Sequence, residues 1–204
     1  MASTPARDLR AWISLLEREG ELRRISAEVD PDLEITEIVD RLQKAGGGPA
    51  LLFERPRGSQ RPLLINQFGT ERRMCLAFGV ERLDDVAAKL GDVLEMQPPE
   101  GLREKVKGLL KLKSIADARP KTVSKGACQE IVLEGDQVDL GLLPVQRCWP
   151  GDPAPFITLP AVITEDPKNG TRNVGMYRMQ VIDRSSTYMP VSYTHLTLPT
   201  ILRV

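Results

Sequence analysis

Residues 173–183 read NVGMYRMQVID, a stretch that combines a strand pattern with residues able to bind a ligand. Apolar and β-branched residues are frequent along it, which is typical of a β-strand. Its start carries three residue types with ligand chemistry. The Asn173 amide oxygen can ligate a hard cation, Gly175 allows a flat ligand or another backbone to approach closely, and the Arg178 guanidinium can hold a phosphate or carboxylate through two hydrogen bonds. The alternative interpretation is an ordinary strand with a solvated arginine.

The composition excludes several classes of protein. The chain has 204 residues, which suits one large domain or two small ones, and its 28 basic residues equal its 28 acidic residues. A net charge of zero provides no general basic field for nucleic acid or for an anionic membrane. The apolar runs are all shorter than the roughly 18 residues that a membrane-spanning helix needs. Residues 1–7 have no apolar signal segment. We therefore expect neither nucleic acid binding nor an integral membrane segment.

The cysteines indicate the compartment. Cys75, Cys128 and Cys148 are odd in number and widely spaced, so they form neither a disulfide framework nor a metal-binding pattern. The sequence therefore predicts a reduced, cytoplasmic protein.

The first 120 residues alternate between helical and strand patterns. Asp8 is a suitable N-cap for the first helix and Gly20 a suitable residue just after its end, and the triple glycine at 46–48 ends the second helix. Helices are predicted at 8–19, 33–45, 71–78, 81–95 and 101–114, and strands at 21–29, 50–53 and 63–66.

The pattern changes to β after a charged, Pro- and Gly-containing stretch at 114–126. Strands are predicted at 130–133, 156–163 and 174–182, with a short edge-like segment at 136–140. We therefore predict a domain of mixed α/β structure at 1–120 and a second, β-rich domain at 121–189.

The order and spacing of several motifs resemble those of the UbiD-type decarboxylase family, which includes the polyprenyl-hydroxybenzoate carboxy-lyases. The stretch Asn-x-Gly-x-Tyr-Arg at 173–178 is the most specific of them, and the loop CWPGDPAPFIT at 148–158 precedes it. The N-terminal part contributes DLRAW at 8–12, GPALLFE at 48–54 and NQFGT at 66–70. The resemblance covers about residues 7–189.

This resemblance implies a fold and a reaction. The fold would be α+β, with an N-terminal mixed α/β domain followed by the first part of an FMN-binding split β-barrel. The reaction would be the non-oxidative decarboxylation of aromatic or α,β-unsaturated carboxylic acids with prenylated FMN, Mn²⁺ and often K⁺. The full-length protein would be a homo-oligomer.

The resemblance also assigns roles to four residues. Asn173 matches a metal ligand of the family, and Met176, Tyr177 and Arg178 match the segment that lies against the cofactor. Arg178 further matches a catalytic arginine that pairs with two acids later in the chain.

The last residues depart from the family pattern. Residues 190–204, which include His195, resemble a non-native tail, so His195 is a poor ligand candidate. The family's remaining metal ligands, its two acids and its proton donor would then follow the point of divergence, and we expect the chain alone to show no turnover. A non-catalytic flavin-binding module or accessory subunit is the first alternative. A flavin reductase is the second, although the chain has no dinucleotide fingerprint.

Other candidate residues have simpler explanations. Asp152 beside Gly151 is typical of a turn, and Cys148 has no partner base in the sequence, so we interpret it as a buried, inert thiol. The acidic residues at helical spacing, Glu34, Glu37 and Asp40, are interpreted as a solvated helix face.

Overall fold

The computed structural model describes residues 5–94 and 122–190. The described part combines helices with three small sheets, so the predicted α+β class is confirmed. The helix predicted at 101–114, the boundary near residue 120 and the tail from residue 191 onward lie outside the described residues.

The first region is a three-stranded sheet with four helices. Strand β1 (Leu22–Val29) runs parallel to β2 (Ala50–Pro56), and β2 pairs antiparallel with β3 (Leu63–Ile65). The helices are α1 (Leu9–Arg18), α2 (Glu34–Lys44), α3 (Glu71–Phe78) and α4 (Asp84–Leu94). Each of these elements falls where the sequence pattern predicts one.

Helix α1 has the caps and the apolar face that its sequence predicts. The Asp8 carboxylate accepts a hydrogen bond from the Ala11 N–H at 2.8 Å, as an N-cap does. Gly20 has a φ of 70°, the left-handed conformation that a residue after a helix end adopts. Between these ends, Trp12, Leu15 and Leu16 are buried on one face, so the helix packs through the apolar stripe that its sequence shows.

The core of the first region surrounds β2. Leu51 and Phe53 pack with Ile35 of α2 in one buried cluster, and Ala50 packs with residues of α1 in another. Phe53 and Ile35 have no solvent exposure. A central strand with helices on its flanks therefore gives this region a core of its own.

The second region contains five short strands in two small sheets. They are β4 (Phe156–Ile157), β5 (Ala161–Glu165), β6 (Arg172–Met176), β7 (Met179–Val181) and β8 (Thr187–Tyr188). The sheet order is β4-β7-β8 in one sheet and β5-β6 in the other, and all pairs are antiparallel.

Two predicted strands are each broken into two. The prediction of one strand at 156–163 is wrong because Leu159 has a φ of 58° and Pro160 lacks an N–H, which interrupts the ladder. The prediction of one strand at 174–182 is wrong because the chain leaves the β5 partner after Met176 and joins β4 from Met179. Residues 156–181 thus form one long hairpin, in which β4 continues into β5 and β6 continues into β7. Both sides of this hairpin change sheet at one corner, and Arg178 lies in that corner.

Residues 122–155 contain little regular structure. The strand predicted at 130–133 and the edge segment at 136–140 are wrong: three short 3₁₀ turns occupy Ala127–Gln129, Gly135–Gln137 and Leu140–Leu142. Ile131 is 74% exposed, so the apolar run does not face a sheet or a core within the described residues. Apolar composition without a neighbouring strand was insufficient to form a ladder.

Candidate functional site

The corner of the long hairpin fixes Arg178 against Asp152. Nη2 of Arg178 lies 2.8 Å from Oδ2 of Asp152, and Nη1 lies 3.4 Å from Oδ1. The two residues are 26 positions apart in the chain. The pair therefore joins the hairpin corner to the loop that precedes β4, with a two-bond contact between guanidinium and carboxylate.

The Phe156 ring supports the same guanidinium from its face. The Arg178 Cζ atom lies 4.0 Å from the ring centroid, within the range of a cation–π contact. Phe156 is 6% exposed, and it is the first residue of β4. The ring contact and the hydrogen bonds to Asp152 therefore hold the guanidinium from two directions.

Asp152 is itself held by its loop. Its Oδ2 accepts the Trp149 N–H at 3.2 Å, and its own N–H donates to the Trp149 carbonyl at 3.0 Å. The hydrogen bond from Arg178 is the main cause that lowers the pKa of the Asp152 carboxyl, with the Arg178 charge and the backbone N–H groups of Trp149 and Cys148 adding to it. The same hydrogen bond raises the pKa of Arg178. Both groups are therefore charged at neutral pH.

The structure corrects two interpretations in this loop. Asp152 does form the predicted turn, and it is also a partner of Arg178. The two later acids that the resemblance implies as partners of Arg178 stay a prediction. Cys148 is half-buried rather than buried, and its side chain interacts with the Arg178 guanidinium. The sequence carried no signal for either contact, because both depend on how the hairpin bends back onto the loop.

The strand β6 separates the other predicted site residues onto two faces. Side chains alternate along a strand, so Asn173 and Gly175 share one face while Val174 and Met176 share the other. Asn173 is exposed and lies opposite Thr164 of β5. Asn173 and Met176 therefore do not lie on one face of β6, and their roles toward a metal and a cofactor stay predictions.

Gly175 gives Tyr177 its position. A Cβ atom at residue 175 would overlap with the Tyr177 ring, so the aromatic ring lies over the glycine. The absence of a side chain at this position therefore permits the close approach of a ring from the same chain.

The Met176 face of the β5–β6 pair is apolar and open. Ile163 pairs directly with Val174, and Ala161 pairs with Met176. Ile163, Val174 and Met176 are each more than 60% exposed. This face has the chemistry to cover one side of a flat aromatic group, since apolar contact is what such a group requires.

The described residues fit a flavin and a divalent ion to different degrees. An apolar strand face with a fixed arginine at its end suits a flavin, which combines an aromatic ring system with an anionic phosphate. For the ion, Asn173 supplies one amide oxygen, but the described residues contain no group of three or more His, Cys, Asp or Glu side chains that could hold a metal. The described residues alone therefore do not make a manganese site.

A separate cavity of about 410 Å³ lies between α2 and the 148–150 loop. The two regions meet here, because the Leu33 N–H donates to the Arg147 carbonyl at 3.0 Å and Arg147 pairs with Asp32 at 2.7 Å. The residues interpreted as a solvated helix face, Glu34, Glu37 and Asp40, line one wall. Glu37 pairs with Arg41 and Asp40 with Lys44 along α2, so this wall carries compensated surface charges.

Two family models match the chain. The model of the 3-octaprenyl-4-hydroxybenzoate carboxy-lyase N-terminal domain matches residues 13–90, and the model of the Rift-related domain of the same enzyme matches residues 121–197. Together they cover most of the chain. It belongs to the UbiD family of carboxy-lyases. The resemblance inferred from the motifs is thereby confirmed.

Solved UbiD structures resemble this UbiD chain in fold. HmfF from Pelotomaculum thermopropionicum, in complex with FMN, is 28% identical with a TM-score of 0.62, and the match covers 92% of this chain and 37% of that one. The vanillic acid decarboxylase of Sedimentibacter hydroxybenzoicus, in its open form, is 26% identical with a TM-score of 0.69, covering 89% and 37%. The 3,4-dihydroxybenzoic acid decarboxylase of Enterobacter cloacae is 25% identical with a TM-score of 0.70, covering 93% and 38%.

This UbiD chain spans less than two fifths of the length of those three proteins. Among its described helices, none combines the length and the apolar character needed to cross a bilayer.

Proposed function

We propose that this UbiD chain carries part of the active site of a prenylated-FMN-dependent enzyme that decarboxylates an aromatic or α,β-unsaturated carboxylic acid without net oxidation. The observation that carries the proposal is the fixed guanidinium of Arg178 at the end of β6, between Asp152 and the Phe156 ring. A charged fork of fixed orientation suits the binding of a carboxylate or phosphate.

The related structures support the choice of cofactor and substrate class. HmfF was solved with FMN and, in an evolved dimeric form, with prenylated FMN. Two other relatives are decarboxylases of vanillic acid and 3,4-dihydroxybenzoic acid, both of which are aromatic acids. We infer the same cofactor and the same substrate class for this chain.

The residues of this chain would bind and orient the reactants. Bound prenylated FMN would act as the electron sink for the carbanion that remains when CO₂ leaves. Met176 would contact the flavin through the open apolar face of β5–β6, with Tyr177 beside it. Arg178 would bind an anionic group, either the carboxylate of the acid or the phosphate of the cofactor.

Asn173 would be one ligand of Mn²⁺, with K⁺ in addition, as the family resemblance implies. An amide oxygen suits such hard cations. The described residues alone supply no complete ligand set for such an ion.

The proposal includes the setting of the enzyme. The cysteines of the described residues, Cys75, Cys128 and Cys148, are all free thiols, which suits a reducing cytoplasm. The parent protein would be a homo-oligomer. By itself the chain would bind flavin without turnover.

A non-catalytic flavin-binding module remains the second candidate. It would present the strand with Asn173 to Arg178 to a partner chain that carries the acids and the further metal ligands. Co-purification with a second polypeptide that supplies such groups would favour the module over the enzyme.

The test of the proposed function is a titration of the purified chain with prenylated FMN, followed by flavin fluorescence. We expect saturable quenching, and about a tenfold weaker affinity in Arg178→Met because a charge-assisted contact is lost. Arg184→Met is the matched control, since Arg184 is an exposed arginine of the same region that pairs with Asp139. Absence of flavin binding, or equal losses in both variants, would contradict the proposal.

The second arm of the test measures CO₂ release. The loaded chain is incubated with Mn²⁺ and a panel of aromatic and α,β-unsaturated acids. We expect no release from the chain alone. Release that depends on one of the acids would refute the expectation of an inactive half-site and would identify the substrate.

A further inference from the structure

The hydrogen bonds between Arg178 and Asp152 use only one edge of the guanidinium. The bonds at 2.8 Å and 3.4 Å involve Nη2 and Nη1, which form the end of the planar group. A guanidinium presents a second two-donor edge through Nε and Nη2. Because the group is planar, that side edge is directed away from a carboxylate bound at the end.

The Arg178 side chain keeps access to solvent while it contacts Asp152. The Arg178 side chain is 42% exposed, whereas the side chain of Asp152 is only 11% exposed. The Phe156 ring lies against the guanidinium, and the Cys148 side chain also interacts with it. Solvent, and therefore an anion, can approach Arg178 without displacing Asp152.

Asp152 can hold this orientation because it is anchored independently of Arg178. Its carboxylate accepts the Trp149 N–H at 3.2 Å within its own turn. The turn is closed by the Asp152 N–H to the Trp149 carbonyl at 3.0 Å. The carboxylate is thus preset by backbone contacts, and the guanidinium follows it.

We propose that Asp152 is the positioning residue of Arg178: it occupies the end edge of the guanidinium and so presents the Nε and Nη2 edge to the carboxylate of the acid substrate. This inference rests on the proposed function and specifies how its arginine recognises the substrate class. Asp152 acts through Arg178 and does not touch the substrate.

Two physical roles for Asp152 predict opposite results. If Asp152 acted only through its charge, its removal would make the site more positive and would strengthen the binding of an anion. If Asp152 acts by orientation, its removal weakens the binding of a planar carboxylate, because the fork loses its alignment. The sign of the change therefore separates the two roles.

The experiment titrates the full chain with benzoate and follows the Nε–H resonance of Arg178 in a ¹H–¹⁵N spectrum, assigned with Arg178→Lys. Benzamide, which lacks the charge, is the control probe. We expect benzoate to move the resonance, and Asp152→Asn to weaken its affinity by about fivefold. Asp139→Asn removes the same charge from the exposed pair with Arg184, and we expect a change below about twofold.

The results separate the positioning role of Asp152 from the binding of benzoate by Arg178. Equal or tighter benzoate binding in Asp152→Asn overturns the positioning role but leaves the proposed function intact. A wild-type Arg178 resonance that benzoate does not move overturns the assignment of the side edge, while the flavin titration tests the proposed function separately. If Asp152→Asn fails to fold, Asp152→Glu keeps the charge and displaces the carboxylate by one methylene. An unchanged affinity in that variant also overturns the positioning role.

Discussion

The two regions of this chain differ in where their apolar side chains lie. Every buried apolar residue of the described chain precedes residue 81, with the single exception of Phe156. In the second region, strand residues such as Ile163, Val174 and Met176 are each more than 60% exposed. The first region therefore has a core that stabilises it, whereas the second presents its apolar residues at the surface.

This difference separates stability from function. The buried clusters around β2 include none of the predicted site residues, and the predicted site residues lie on strands with little burial. Phe156 joins the two roles, since it is buried and also supports Arg178. We therefore expect substitutions in the first region to affect stability most and substitutions around Arg178 to affect ligand binding most.

The largest expected effect comes from emptying the core of the first region. Phe53→Ala should lower the free energy of unfolding by about 3–5 kcal/mol, because it removes a large, fully buried side chain and leaves a cavity. Chemical denaturation followed by circular dichroism measures the change.

The matched variant in the second region is Ile163→Ala. Ile163 is 65% exposed, so its truncation should lower the free energy of unfolding by about 0.5 kcal/mol or less. Similar losses in the two variants would show that the second region has a core that the described residues do not reveal.

A smaller loss is expected from the ion pair that the first region buries. Arg73 is fully buried, and its Nη1 donates to Glu21 at 3.0 Å and to the Gly48 carbonyl at 2.9 Å. Arg73→Met should lower the free energy of unfolding by about 2 kcal/mol, because Glu21 and Gly48 lose a buried partner. Chemical denaturation measures this change.

Arg72 provides the control for this pair. It contacts the same Glu21 at 3.1 Å but is 60% exposed. Arg72→Met should lower the free energy of unfolding by about 0.5 kcal/mol, because an exposed ion pair contributes little to stability. A larger loss in Arg72→Met than in Arg73→Met would contradict the importance of burial in this region.

The Arg178–Asp152 pair should contribute less to the free energy of unfolding than the buried Arg73–Glu21 pair does. A double-mutant cycle of Arg178→Met and Asp152→Asn should give a coupling energy of about 1 kcal/mol, because the pair is well aligned but partly exposed. Equilibrium unfolding of the four proteins measures this energy. A coupling near zero would mean that the contact does not hold the corner in solution.

The smallest expected effect is the dependence of this pair on pH. The folded protein lowers the pKa of Asp152, chiefly through the hydrogen bond from Arg178. The stability from the pair is therefore complete above the ordinary aspartate pKa of about 4 and is lost as the pH falls through the lower pKa of the folded state.

This sign can be checked with denaturation curves between pH 6 and pH 2. The difference in stability between wild type and Asp152→Asn should shrink toward the acid end. A difference that grows as the pH falls would contradict the assigned direction of the pKa change.

The sequence predicted most of the first region because its signals are local. The cap at Asp8, the glycine after α1 and the apolar stripe of α1 act within one or two helical turns. Such signals do not depend on distant parts of the chain. The motif order identified the family for a similar reason, since short motifs in a fixed order need no three-dimensional information.

The second region was predicted less well because its structure depends on distant contacts. The breaks at Leu159 and after Met176 occur where the hairpin changes sheet, and a run of strand-forming residues does not report that change. The Arg178–Asp152 contact spans 26 residues and likewise has no local signal. The roles of Asn173, Met176, Tyr177 and Arg178 toward a metal, cofactor or substrate stay predictions.

The most direct test of this account is amide hydrogen exchange of the chain with and without prenylated FMN. We expect the amides of β2 to be protected in both samples, because the core of the first region holds them. The amides of β6 and the corner at Arg178 should become protected only when the flavin is present. Protection that appears elsewhere on flavin addition, with β6 unchanged, would contradict the proposed site.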